Sequence, residues 1–100
     1  MNVAIERDKL AAHLVRFEED LNRVMEAIID SKFEVAEKLC ASIRSRGESI
    51  GLARVVELSE EFNTVLQTRE QWNAIHHFTN SYRSSMLQVI IPLGFGIYPV

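Results

Sequence analysis

The sequence predicts an all-α protein, an antiparallel four-helix bundle with an extended apolar C-terminal tail. Apolar residues recur at steps of three and four through four successive segments, no stretch alternates long enough to make a strand, and the breaks between segments span only a few residues. With 100 residues, 47% of them apolar, the chain has material for one folding unit and one core. Residues 1–91 are expected to form the bundle and residues 92–100 an apolar arm.

The first stripe runs Leu10, Leu14, Phe17, Leu21, Val24, Ile28, with Arg16, Glu18, Glu19, Asp20 and Arg23 between them for the solvent side. It should end near Asp30-Ser31, two residues that compete for backbone hydrogen bonds. The second places Phe33, Ala36, Leu39, Cys40 and Ile43 on one face and is expected to stop before Gly47. Ser49 then reads as the N-cap of a third helix carrying Leu52, Val55, Val56, Phe62, Val65 and Leu66, with Arg54, Glu57, Glu60 and Glu61 toward water. Thr68 with Gln71 spells a capping box for a fourth, whose stripe continues through Trp72, Ile75, Phe78 or Thr79, Tyr82, Met86 and Val89. Connections this short fold each helix back antiparallel on its neighbour.

After Arg83 the chain has no charged side chain, and residues 86–100 are nearly all apolar. Pro92, Gly94, Gly96 and Pro99 interrupt that run before it reaches the ~20 residues of a membrane helix, so no membrane span is expected. Pro92 should end the fourth helix near Ile90. The arm then presents Ile91, Leu93, Phe95, Ile97 and Tyr98, which costs free energy in water and points to burial against its own bundle, against another copy or against a different partner.

Eleven basic against fourteen acidic side chains give a net charge of -3, which supplies no broad electrostatic footprint for nucleic acid. A single cysteine, Cys40, cannot form an internal disulfide, and residues 1–8 lack the basic head and apolar stretch of a secretion signal; a reducing cytoplasm is the expected compartment. Cys40 lies on or beside the buried stripe and reads as a core cysteine. His13 reads as a boundary residue, and the consecutive His76 and His77 point about 100° apart on a helix, so no metal site is expected. No nucleophile–base pair appears either; neither a cofactor nor an enzymatic activity is expected.

The most specific stretch reads Leu39-Cys40-Ala41-Ser42-Ile43-Arg44-Ser45-Arg46-Gly47-Glu48-Ser49-Ile50-Gly51-Leu52 and continues through Val55 to Leu58. It resembles the central helix pair of a histidine-containing phosphotransfer domain. In that family a leucine and a small residue precede the phospho-accepting histidine, a lysine and then a glycine follow, and a second glycine opens the next helix. Here Ala41 takes the histidine position, Arg44 the lysine, Ser45 the first glycine and Gly51 the second, while Leu58 and Phe62 match core residues of the third helix. An alanine methyl cannot accept a phosphoryl group.

The resemblance therefore implies a non-catalytic interaction module, an adaptor or antagonist that meets a receiver domain or histidine kinase through Ala41, Arg44, Ser45, Arg46, Glu48 and Arg54. Receivers carry a carboxylate cluster, which arginine can bind with two parallel hydrogen bonds. The competing expectation is a small self-associating structural or chaperone-like helical protein whose tail makes the contact.

Overall fold

A computed structural model describes the backbone of residues 3–95 and the side chains of residues 11–92. Three helices, α1 (Val3–Ile29), α2 (Phe33–Ser49) and α3 (Ala53–Gln67), are followed by a fourth rod. The rod consists of α4 (Gln71–His77), a π-helical turn (Phe78–Tyr82) and α5 (Arg83–Phe95). The chain is an all-α bundle. Among the described residues no helix is long and apolar enough to cross a membrane.

Three-residue connections join the elements, and each preceding helix ends on a residue in the left-handed region: Ser31 (φ 59°), Gly51 (φ 78°) and Arg69 (φ 60°). At the first two ends the chain makes the paired bonds of a Schellman motif. Lys32 N–H donates to the Ala27 carbonyl (2.7 Å) and Ser31 N–H to that of Ile28 (3.0 Å), while Leu52 N–H donates to Gly47 (2.8 Å) and Gly51 N–H to Glu48 (3.2 Å). Glycine carries this conformation without steric cost, whereas Ser31 and Arg69 hold it against the clash of their own Cβ.

Cross-helix contacts show the direction of packing. Arg69 meets Glu37, Ser59 meets Cys40 and Val55 meets Gly47, so residue numbers fall along α3 as they rise along α2, the antiparallel sense. Phe17, Leu21, Val24 and Ile28 of α1, Ala36, Cys40 and Ile43 of α2, and Val55, Leu58, Phe62 and Leu66 of α3 form the core with five residues of the fourth rod.

Several expectations at the element boundaries are corrected. The second helix does not stop before Gly47; it runs through to Ser49, and Gly47 is buried in its last turn. A Cβ there would lie 2.5 Å from Val55 Cγ1 and 2.8 Å from Val55 Cβ, so the missing side chain is what lets α3 approach α2 this closely. Ser49 is consequently inside α2, and the N-cap of α3 is Leu52, which makes no side-chain cap bond.

The capping box at Thr68 and Gln71 does not form. Thr68 Oγ1 donates back to the Val65 carbonyl (2.7 Å), and Gln71 Nε2 donates instead to the end of α1, to the Ile29 carbonyl (2.8 Å) and as a second donor to the Ile28 carbonyl (3.1 Å), which already accepts from Ser31 N–H. Pro92 does not end the fourth helix near Ile90: α5 continues through it to Phe95. Its ring holds φ near the helical value, and in this last stretch it forfeits one backbone hydrogen bond while the chain continues. Residues 92–95 are thus helical where an extended arm was expected, and residues 96–100 lie outside the described residues.

The fourth rod buries Phe78, Tyr82 and Met86 of the expected stripe, with Ile75 and Val89 partly buried beside them, but not Trp72. Trp72 is 83% exposed, and the buried residues are Ala74, Phe78, Tyr82, Met86 and Ile90, which recur every four positions. At 3.6 residues per turn each step of four overshoots a full turn by about 40°, so an uninterrupted α-helix would carry the stripe away from the core. The π-turn at Phe78–Tyr82 is wound more loosely and takes up part of that drift. Ser84 Oγ donates to the Thr79 carbonyl (3.2 Å) beside it, using an acceptor in the turn.

Candidate functional site

The outer face of the α2–α3 pair carries three of the positions singled out by the resemblance, Ala41, Arg44 and Ser45. Ala41, Arg44 and Ser45 lie three and four residues apart on α2, so they share one helix face, and the buried set Ala36, Cys40, Ile43 and Gly47 occupies the other. Ala41 and Ser45 are exposed. Beside them is a groove of about 350 Å³ lined by Cys40, Ala41 and Arg44 from α2 and by Ser59, Glu60 and Asn63 from α3. Arg44 reaches across its mouth: Nε donates to Glu60 Oε2 at 3.2 Å, and Nη2 stands 3.1 Å from the same oxygen.

Below the groove lies a buried polar cluster. The Cys40 thiol donates to the Ser59 carbonyl (3.1 Å) and sits 3.8 Å from the Tyr82 hydroxyl, which shares a 2.8 Å hydrogen bond with Ser59 Oγ. Phe62 stacks on the Tyr82 ring at 4.6 Å between centroids. Burial pushes the Cys40 thiol up to about 11, against smaller downward effects of its bonds to Tyr82 and Ser59, and burial followed by the neighbouring Cys40 pushes the Tyr82 phenol well above its ordinary value. Both groups are therefore neutral at physiological pH, and the thiol lacks the thiolate character that reactivity requires.

Asp20, expected on the solvent side of α1, is 3% exposed, with Oδ2 buried and unpartnered and Oδ1 3.8 Å from Arg23 Nη1. It contributes a raising influence on Tyr82. The polar centre of the bundle thus draws on all four helical rods.

The remaining predicted residues are dispersed. Arg46, two positions beyond Arg44, points about 200° away around α2, and its Nη1 lies 3.1 Å from His13 Nδ1 on α1. Arg54 pairs along its own helix with Glu57 (3.3 Å) and Glu61 (3.9 Å). Glu48 is exposed at the end of α2. Arg44, Arg46 and Arg54 therefore do not form one continuous basic rim; each faces a different neighbour. Of the tail residues, Ile91 is exposed, Leu93 and Phe95 lie on α5 with side chains outside the described residues, and Ile97 and Tyr98 lie outside them altogether.

The histidines also stand apart. His76 Nδ1 faces the Asn80 amide (3.1 Å), while the His77 ring stacks on Phe62 at 5.6 Å and buries its Nδ1 without a partner. No group of three or more metal-ligating side chains occurs among the described residues.

Asn63 and Ser59 were not singled out by the sequence, in which Glu60 reads only as a solvent-side carboxylate of α3. Ser59 carried a readable signal, being a small polar residue between Val55, Leu58 and Phe62 of the buried stripe; Glu60 and Asn63 carried none, because pairing across helices leaves no mark on the spacing of either. No family model, curated protein or solved structure matches the chain.

Proposed function

We propose that the chain is a non-catalytic, phosphotransfer-like interaction module that binds a receiver domain or histidine kinase of two-component signalling in the cytoplasm, as an adaptor or antagonist. One observation carries this reading: Ala41 sits exposed on the outer face of α2, a turn from the small Ser45 and beside Arg44. This is the disposition that the resemblance implies around a phospho-accepting histidine, with a methyl group in place of the imidazole. Small residues on that face leave room for a globular partner to approach the backbone, and the methyl offers no atom that could take a phosphoryl group.

Incubation with phosphorylated receiver domains should leave the chain unlabelled, while calorimetry registers binding of at least one of them. Acid-labile label on His13, His76 or His77 overturns the non-catalytic part of the reading; absence of binding across a panel of receivers and kinases overturns the partner.

The second reading, self-association, draws on Trp72 and Ile91, 83% and 46% exposed on the same rod. A sedimentation mass twice that of the chain, lost on removal of residues 92–100, favours it.

A further inference from the structure

The two arginine–glutamate pairs that tie α2 to α3 and to the connection following α3 are built differently. Arg69 and Glu37 meet two on two: Nη1 donates to Oε2 at 2.9 Å and Nη2 to Oε1 at 3.3 Å, and the Arg69 guanidinium also lies 5.6 Å from the Phe33 ring centre. Arg44 brings Nε and Nη2 to one oxygen of Glu60, leaving Oε1 outside the fork, and the Glu60 side chain is 57% exposed against 25% for Glu37. The first geometry is the parallel, bidentate one that gives arginine–carboxylate pairs their strength. The second is a converging contact in solvent, of the kind whose net worth is small.

The Arg44 pair also stands over a groove with unfilled capacity. Asn63 lines it, and no hydrogen bond of the Asn63 amide occurs among the described residues. A carboxylate entering there would meet an arginine fork, an amide donor and the methyl of Ala41, with the fork free to realign onto two oxygens.

We propose that Glu60 is an internal occupant of a carboxylate-binding groove: it holds the Arg44 fork in the free protein and is displaced by an aspartate or glutamate side chain of the protein partner. The occupant's chemistry follows from charge complementarity, since Arg44 is the cation of the groove and a carboxylate is already seated on it in the less favourable of the two geometries. This deepens the interaction reading above and rests on it for the identity of the partner, although the groove's preference for carboxylates is testable alone.

The probe is a short aspartate-rich peptide, titrated into the full chain at low salt while the Arg44 and Arg69 Nε–H resonances are followed by NMR. The Arg44 signal should move and the Arg69 signal stay. Glu60→Gln, an exposed and nearly isosteric change, should tighten peptide binding about two- to fivefold, the range that corresponds to losing an exposed ion pair as competitor. Arg44→Gln should abolish peptide binding as read by calorimetry. An unmoved Arg44 signal, or Glu60→Gln binding no tighter than wild type, overturns the proposal.

Receiver binding separates the two readings. If Glu60→Gln tightens the peptide but no receiver binds either protein, the signalling assignment fails and the groove stands. If receivers bind wild type but bind Glu60→Gln more weakly, the assignment stands and Glu60 is a contact residue rather than a competitor.

Discussion

Along the α2–α3 seam the decisive position is Gly47, which contributes no side chain, whereas along the seam between α3 and the fourth rod it is Tyr82, the largest fully buried side chain among the described residues, with a hydroxyl held by Ser59 and a ring stacked on Phe62. The first seam is closed by removing atoms until two backbones approach. The second is closed by inserting a bulky aromatic and satisfying its one polar atom. Added volume should therefore damage the first seam, and lost volume or a lost proton the second.

The largest effect is expected from Tyr82→Ala. It opens a cavity beneath Phe62, strips the Ser59 hydroxyl of its side-chain partner and should lower unfolding free energy by about 3–5 kcal/mol, read from urea denaturation. A loss near that of an exposed substitution, about 0.5 kcal/mol, breaks the contrast by showing that the fourth rod is seated elsewhere.

Gly47→Ala comes next. Alanine favours the helix by up to about 1 kcal/mol, but its methyl lands 2.5 Å from Val55 Cγ1 and 2.8 Å from Val55 Cβ, and overpacking of this kind costs about 1–3 kcal/mol. The expected net result is destabilisation, relieved when Val55→Ala is added, so the pair should be non-additive in a double-mutant cycle. A stabilised single mutant would mean that the helices part at no cost.

The smallest effect near neutrality sharpens the comparison at alkaline pH. The Cys40 thiol titrates at about 11 in the fold against an ordinary 9.0, and Tyr82 is raised as well, so above pH 9 the folded state binds more protons than the unfolded one. The stability due to these protonated groups is complete below the unfolded values and is lost as pH rises toward 11 and beyond. The thermal midpoint should be level from pH 7 to about 8.5 and fall from pH 9 upward, less steeply in Tyr82→Phe. An identical alkaline slope in that variant detaches Tyr82 from the effect.

The four rods were legible because burial imposes its period directly on the sequence: Phe17, Leu21, Val24 and Ile28, or Val55, Phe62 and Leu66, could be placed inward from spacing alone. What escaped was set by partners distant in sequence. Gly47 reads locally as a helix stop and is a contact surface for Val55; Gln71 reads as a cap for its own helix and serves the end of α1. Asp20 reads as a solvent charge and is enclosed, and Trp72 reads as core and stands in water, because the fourth rod follows a four-residue repeat that a single helical period misassigns. The site was half legible for the same reason. Ala41, Arg44 and Ser45 follow from their own helix, whereas Glu60 and Asn63 reach the groove only through the packing of α3 on α2.

The π-turn makes residue count at one spot equivalent to angular position. Taking out one residue, for instance Asn80, while the preceding helix stays fixed would turn everything beyond Tyr82 by about 100°, unless the loose turn tightens into ordinary helix and absorbs the loss. The bundle therefore holds one residue's worth of slack in its fourth rod. A shortened chain that kept Met86 and Ile90 buried would have spent that slack, leaving a stiffer rod with no reserve for a second deletion.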